Sequence, residues 1–413
     1  MSDTISFFSA KESFRSGGRS LSPAIIDCFY RLHDYFSCSI MEINNTSNIT
    51  FSYNNSFGTF VGCKEGGFDV IVLQVRSFFD GVYFVKDELF LDFGLHAVRG
   101  ALKSTINTIL NAAHLRFDCN FLEVKGVWCS HPLPYHYFYD YLPGLQSVIS
   151  EGFQGKIYSS SLGGYLGELV GDAFNENQVE IVSKDFYGID FAVLGSLCKR
   201  GHRKEFVAVD EAVKNLAKIG YEETADFFNF SIVSKSFDYI VLLSLIAGKR
   251  EVINQVALYA EVMSFFSTKK KKVLFVVDGI TSVYQSGWVK NQVMHDRYSE
   301  LLMELYSRLP AECGMYNISC ADPLKKISCC NLVDFFLTDN ATSSIYVDRF
   351  CKKPGVVFGP SGVKGHIHVN SKMYLIDSVP GGGWDRASYS IDVQDFMGCL
   401  ESLFDKLCKA SRK

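Results

Sequence analysis

No Cys-x-x-Cys pair occurs among the 13 cysteines of this chain. Their number is odd, they follow no pairing rhythm, and Cys329 and Cys330 are adjacent. Neither a secreted disulfide scaffold nor a cysteine-built zinc site fits that spacing; the reducing cytosol does. Long apolar runs are also missing. The longest lies near Tyr239–Ala247, far short of the ~20 residues that span a bilayer. Met1–Gly18 lacks the charged-then-apolar order of a signal peptide. A cytoplasmic protein is expected, and the sequon Asn48-Ile49-Thr50 then carries no glycosylation reading. Nor is one sign of charge in excess: the formal net charge is −4, so no basic face for nucleic acid is indicated. A P-loop, a Gly-x-Gly-x-x-Gly turn after a strand and a Gly-x-Ser-x-Gly elbow are all absent. ATPase, dehydrogenase and α/β-hydrolase readings lose their support accordingly.

What is present is the balance of an ordinary globular protein, with 47% hydrophobic and 21% charged residues. At 413 residues the natural division is two domains. The first 65 residues show little periodicity, and the Asn/Ser/Thr-rich stretch Asn44–Ser56 reads as a loop or strand-edge segment. Strands are then expected at Phe68–Val75, within Val82–Phe93, and at Val124–Cys129, Lys156–Ser160 and Val179–Val182. Helical spacing covers Leu95–Leu115, Tyr135–Ser150 and Leu162–Phe174. The segment from Asp185 to Phe266 reads as mostly helical apart from the apolar run at Tyr239–Ile246. The lysine run Lys269–Lys272 suggests a boundary, giving domains 1–267 and 268–413. Beyond it the β-α-β alternation is regular: strands at Val273–Val277, Met315–Ile318, Phe335–Leu337 and Gly355–Phe358, with helices between. A final helix carries the stripe Val393, Phe396, Leu400, Leu403, Phe404 and Leu407, which fits packing. The fold class read from this is α/β, with two Rossmann-like doubly wound domains facing a cleft.

The densest chemistry lies in His131-Pro-Leu-Pro-Tyr-His136-Tyr-Phe-Tyr-Asp140-Tyr-Leu-Pro143-Gly-Leu145, between an expected strand and an expected helix. His136 and Asp140 are four residues apart, which on a helix places them on one face. The carboxylate can orient the imidazole, and an oriented imidazole can take a proton from a hydroxyl. The same spacing also serves a helix-opening histidine with a carboxylate partner and aromatic packing. His366 and His368 alternate on a possible strand, but no third ligand joins them. Gly381-Gly-Gly-Trp384-Asp385 reads as a flexible turn.

The run Tyr135–Leu145 resembles the tyrosine-histidine-aromatic, aspartate, leucine-proline signature of glycosyltransferase family 61 and related bacterial polysaccharide glycosyltransferases. The second half is similar in layout, with Lys271–Val277 before a loop, Asn291-Gln292 opening a helix, and a small-residue turn at Asp339–Ser344. The resemblance spans roughly residues 120–360. It implies a GT-B architecture, with an acceptor-side N-terminal domain and a nucleotide-sugar donor bound mainly by the C-terminal one, and no metal or other cofactor. It implies transfer to a glycan or glycolipid acceptor in surface-polysaccharide or lipopolysaccharide assembly. His136 is then the base, Asp140 its partner, and Lys290, Asn291, Ser343 and Ser344 donor contacts. The basic C-terminal end (Lys406, Lys409, Arg412, Lys413) also admits a peripheral contact with the inner face of a membrane. Two alternatives stand beside it. His131-Pro132 resembles the His-Pro motif of bacterial sialyltransferases and Kdo transferases, which implies a CMP-sugar donor contacted by His131. And the loop Asp278–Lys290, with an acid early and Lys290 as its one positive charge, also suits a binding protein that kept the fold without the chemistry.

Overall fold

The computed structural model describes residues 3–6, 21–36, 48–55, 58–74, 80–92, 99–112, 115–117, 121–131, 133–173, 179–182, 185–195, 203–248, 251–282, 292–339, 342–360, 372–376 and 388–410. His366, His368, Gly381–Asp385, Lys290 and Asn291 lie outside them. The chain divides into two compact units, Met1–Val209 and Asp210–Lys413.

Unit 1 holds two sheets. The larger is formed by β1 (Asp3–Ser6), β2 (Ile49–Asn55), β3 (Gly58–Glu65), β4 (Phe68–Gln74), β5 (Gly81–Phe84), β6 (Leu89–Asp92) and, after the strands of the second sheet, β10 (Phe186–Gly188). Its order is β1-β6-β5-β4-β3-β2-β10. Only β1 and β6 pair in parallel; the other pairs are antiparallel. The β3–β4 hairpin turns on Gly66 and Gly67, both at positive φ (58° and 83°). That is the turn geometry that matches strand twist, and it favours glycine at both positions.

The second sheet of unit 1 is parallel and carries the expected β/α alternation. It comprises β7 (Val124–Trp128), β8 (Lys156–Ser160), β9 (Val179–Val182) and β11 (Ala192–Gly195), in the order β11-β7-β8-β9. Helices α1 (Pro23–Phe36) and α2 (Arg99–Asn111) come before β7. A continuous helical stretch, α3, follows it: α-helix at Pro134–His136, a π-helical turn at Tyr137–Tyr141, and α-helix again at Leu142–Ser150. The helical expectation for Leu162–Phe174 narrows to α4, Leu169–Ala173, after a series of turns.

The Asn/Ser/Thr-rich stretch corrects the sequence reading. Ile49–Asn55 is neither a loop nor an edge but the interior strand β2, buried at all seven residues. Two of its polar side chains take up donors. Asn54 Oδ1 accepts from the Thr59 hydroxyl at 2.6 Å, and Ser52 Oγ accepts from the Val193 N–H at 2.9 Å. From β4, Gln74 Oε1 accepts from the Gly195 N–H at 3.0 Å. Val193 and Gly195 lie on β11, the edge of the parallel sheet. Side chains of one sheet thus satisfy the open backbone edge of the other, which otherwise leaves buried N–H groups orphaned.

Unit 2 is a single six-stranded parallel sheet: β12 (Tyr239–Ser244), β13 (Val273–Asp278), β14 (Gly314–Asn317), β15 (Phe335–Asp339), β16 (Gly355–Pro360) and β17 (Lys372–Ile376). The order β14-β13-β12-β15-β16-β17 is, counted from the first strand, 3-2-1-4-5-6. This is the order of a doubly wound dinucleotide-binding sheet, whose direction reverses between strands 1 and 4. Helices α5 (Arg203–Gly220), α6 (Ala225–Ser234), α7 (Gln255–Thr268), α8 (Gln292–Tyr306), α9 (Pro323–Asn331), α10 (Thr342–Ser344, continuing as a π-helical turn Ile345–Phe350) and α11 (Val393–Ala410) are the other elements among the described residues. The apolar runs of β12, β13 and β15 are buried on both faces, which is why they read as continuous rather than alternating. On one face Phe266 of α7 meets Phe275, Phe335 and Phe404, locking α7 and α11 onto the sheet.

The lysine run Lys269–Lys272, where the sequence suggests a boundary, lies between α7 and β13 inside unit 2. The physical reason is the pairing of β12, which hydrogen-bonds in parallel to both β13 and β15. A strand held on both sides belongs to that sheet, and its helix α7 goes with it.

Candidate active site

Parallel sheets display function at the carboxyl ends of their strands. In unit 1 the strand β7 ends at Trp128, and the chain passes through His131 into α3. Leu133 is the N-cap, extended at φ −114° and ψ 123°, and Pro134 opens the first turn. Proline suits that position because its missing N–H has no intrahelical partner there. His136 ends this first α-segment. Its Nδ1 lies 2.7 Å from Asp140 Oδ2, with the two side chains 12% and 3% exposed. The expected pairing is therefore present, and it is mostly shielded from water.

The π-helical turn between these residues was not expected. Its mark is the bond from the Leu142 N–H to the Tyr137 carbonyl, five residues back. Pro143 supplies the cause: it lacks an N–H, and its ring clashes with the carbonyl four residues earlier in a regular α-helix. Widening the preceding turn relieves both problems. Aromatic side chains close the surroundings. Tyr135 stacks on Tyr139 at 4.5 Å between centroids, and the His131 ring meets the His136 ring edge-on at 4.6 Å. Tyr137 and Phe138 are fully buried, and burial pushes the Tyr137 hydroxyl well above the usual tyrosine range.

The neighbouring strand β8 helps to hold this corner. The His131 N–H donates to the Gly163 carbonyl at 3.1 Å. Gly163 sits so close that a Cβ there would stand 2.9 Å from the His131 carbonyl carbon and 2.6 Å from Ser130 Oγ. The run Ser160-Ser-Leu-Gly163-Gly164 is thus a turn on which two adjacent strand ends meet. A cleft of about 530 Å³ also exists on unit 1, but it lies by the opposite, amino-terminal ends of β7 and β8, lined by Lys125, Phe153, Lys156 and Tyr158 among others.

In unit 2 the strand-order reversal falls between β12 and β15. Ser244 ends β12, and its Oγ accepts from the Asp339 N–H at 3.0 Å at the end of β15. The loop after β12 is held by two side chains of α7. The Gln255 amide pairs with both the N–H and the carbonyl of Ile246, at 2.9 and 2.7 Å, and the Tyr259 hydroxyl donates to the Ser244 carbonyl at 2.7 Å. Ser343 and Ser344 stand in the first turn after β15, both buried, at 7% and 5% exposure.

Sequence reasoning missed Lys326 altogether. It lies on α9, is wholly buried, and its Nζ donates to Asp278 Oδ1, to the carbonyls of Gly279 and Ile280 at 3.1 and 2.8 Å, and to Thr281 Oγ1 at 3.1 Å. The acid that ends β13 is thereby paired with a buried ammonium. A lysine on an amphipathic helix gives no local sign of burial; the only signal was an acid directly after an apolar strand.

No family model matches the chain. No curated protein matches it either. Among solved structures, it is similar to the glycosyl transferase family 9 protein from Veillonella parvula DSM 2008, at 10% identity over 68% of this chain and 97% of that one, with a TM-score of 0.41. It is also similar to the E. coli heptosyltransferase WaaC with ADP, at 10% identity over 64% and 72%, TM-score 0.29. A second WaaC structure, with ADP-2-deoxy-2-fluoro heptose, matches at 10% identity over 75% and 78%, TM-score 0.30. Likeness at that level assigns neither residue nor reaction, so the chemistry rests on the residues themselves. Among the described residues, no helix is long and apolar enough to cross a membrane.

The corner of unit 1 can do one thing well. With Asp140 accepting the Nδ1 proton of His136, the other ring nitrogen, Nε2, carries the lone pair. Such an imidazole is oriented, shielded and able to receive a proton from a hydroxyl.

Proposed function

We propose that the chain is a glycosyltransferase that moves a sugar from a nucleotide-activated donor to a glycan or glycolipid acceptor, in surface-polysaccharide or lipopolysaccharide assembly. The observation that carries this reading is the His136–Asp140 pair at 2.7 Å, its carboxylate buried and its imidazole partly buried, after the carboxyl end of a parallel strand. The resemblance of Tyr135–Leu145 to the family 61 signature gives the pair its reaction class. In the inverting form of the step, His136 Nε2 takes the proton of an acceptor hydroxyl. That oxygen forms a bond to the anomeric carbon as the bond from this carbon to the donor phosphate breaks, and the nucleotide leaves with the electron pair. Asp140 holds the ring and balances the imidazolium that forms. The donor is assigned to the doubly wound sheet of unit 2, with Lys290, Asn291, Ser343 and Ser344 as its contacts. The 3-2-1-4-5-6 strand order supports this, since such sheets bind nucleotides where the order reverses.

The test is a thermal-shift panel of UDP, GDP, dTDP, CMP and ADP with their sugars, on the purified full chain. A ligand that binds the folded state raises its melting temperature. A shift with a UDP-, GDP-, dTDP- or ADP-linked donor, followed by transfer that His136→Ala abolishes, is the expected result. A shift with CMP compounds alone moves the assignment to a CMP-sugar transferase. No shift across the panel overturns the enzyme reading in favour of a binding protein.

A further inference from the structure

His131 stands against the proposed base and takes no part in the step described above. Its Nδ1 lies 3.1 Å from the Leu133 backbone nitrogen and 3.4 Å from the Leu133 carbonyl oxygen. A backbone N–H is always a donor, so Nδ1 meets it with a lone pair, and the longer carbonyl contact is not a hydrogen bond. The proton of a neutral His131 is then on Nε2. Protonating the ring would turn Nδ1 into a second donor facing the Leu133 N–H, and this N–H is one of the helix-start donors that needs an acceptor. The ring is buried at 7% exposure and fixed at the backbone by the Gly163 carbonyl. It meets the His136 ring edge-on at 4.6 Å and the Tyr141 ring at 5.6 Å.

We propose that His131 is a positioning residue: a neutral imidazole, locked as the Nε2–H tautomer by the Leu133 N–H, whose ring confines His136 to the rotamer in which Nδ1 reaches Asp140. A charged neighbour at that place would oppose proton uptake by His136, whereas a neutral ring fills the space without doing so. This inference rests on His136 being the base, but its test does not depend on activity.

The experiment is NMR on the full chain with 15N-labelled histidine. Two signatures are expected in the wild type. His131 shows an unprotonated Nδ1 and a protonated Nε2, and keeps that pattern as the pH is lowered from about 8 to about 6. His136 shows a downfield Nδ1 proton that Asp140→Asn removes. His131→Asn keeps an acceptor for the Leu133 N–H but removes the ring, and the downfield proton should be lost. His131→Phe keeps a ring without the acceptor, and the proton should persist. A protonated Nδ1 on His131 anywhere in that range overturns the locked tautomer. Persistence in His131→Asn with loss in His131→Phe overturns the positioning role and leaves His131 as a helix cap. If His136→Ala transfers sugar as well as wild type, the base reading fails, while these spectra still decide the role of His131.

Discussion

The corner after β7 in unit 1 and the corner after β15 in unit 2 share a backbone device and differ in chemistry. Each opens with a short α-turn that passes directly into a π-helical turn, Tyr137–Tyr141 in one and Ile345–Phe350 in the other. Each π-turn is marked by a bond five residues back, Leu142 to Tyr137 and Cys351 to Tyr346. Each contains an acid four residues after the last α-residue: Asp140 after His136, and Asp348 after Ser344. The first pair is an imidazole on a carboxylate. The second offers a hydroxyl, which has no basic nitrogen to take a proton at neutral pH. The lesson is that π-turns at strand ends build a place for a side chain, and the residue type at one position decides whether that place holds a group able to take a proton.

Substitutions at these two positions are the sharpest way to break the comparison. His136→Ala should lower kcat for sugar transfer by about 10²–10⁴-fold. Ser344→Ala should leave kcat nearly unchanged and raise the donor KM. Equal losses in kcat from both variants would erase the distinction drawn between the corners.

Next in size is the π-turn itself. Pro143→Ala restores an N–H and lets regular α-hydrogen bonding run through the turn, which shifts Asp140 against His136. A displacement of that kind costs up to about 10² in rate, and the comparison of kcat with melting temperature separates it from unfolding. In unit 2 the matching position, two residues past the π-turn, is Lys352, and no proline occurs within Thr342–Lys353, so its π-turn has another origin.

The third prediction concerns how each unit satisfies its buried polar groups. Unit 1 uses neutral polar side chains on backbone, Ser52 and Gln74 against β11. Unit 2 uses the buried pair Lys326–Asp278. Removing one partner of a buried pair strands a charge. Lys326→Met should therefore destabilise the protein by about 3–5 kcal/mol in denaturant unfolding, with much of the loss recovered when Asp278→Leu is added. Gln74→Met should cost less, about 1–3 kcal/mol, because the group left alone is a neutral N–H.

The smallest effect is at the edge of the unit 2 sheet. Asp226 is held below the usual carboxylate range, first by the hydrogen bond from Lys325 and then by that from Tyr221. A depressed folded-state value means that this contribution is present above the unfolded value and is lost as pH falls through the folded one. The melting temperature of the wild type should thus fall more steeply below about pH 3.8 than that of Asp226→Asn. The side chain is half exposed, so the difference should be small.

The particular residues show what could be read along the chain. Short-range spacing was sufficient for β8 and β9, whose ends coincide with those expected, and for the His136–Asp140 pair, because four residues on a helix fix one face. The same spacing was silent on β2. Its polar residues resemble a loop until Thr59 of β3 pairs with Asn54 and β11 brings a backbone donor to Ser52. It was silent on β12 as well, whose membership in unit 2 depends on pairing with β15, nearly a hundred residues later.

The sequence by itself determined the β/α alternation, the apolar runs that had to be buried on both faces, and the imidazole–carboxylate pair that opens α3. Only the tertiary structure decided that Ser52 and Gln74 close an open strand edge, that Lys326 neutralises Asp278, and that His131 accepts the Leu133 N–H beside the ring of His136. The reason is physical. Periodicity and helical spacing are set by covalent geometry within a few residues. The fate of a buried polar atom is set by whichever distant donor or acceptor the packing brings within hydrogen-bond reach.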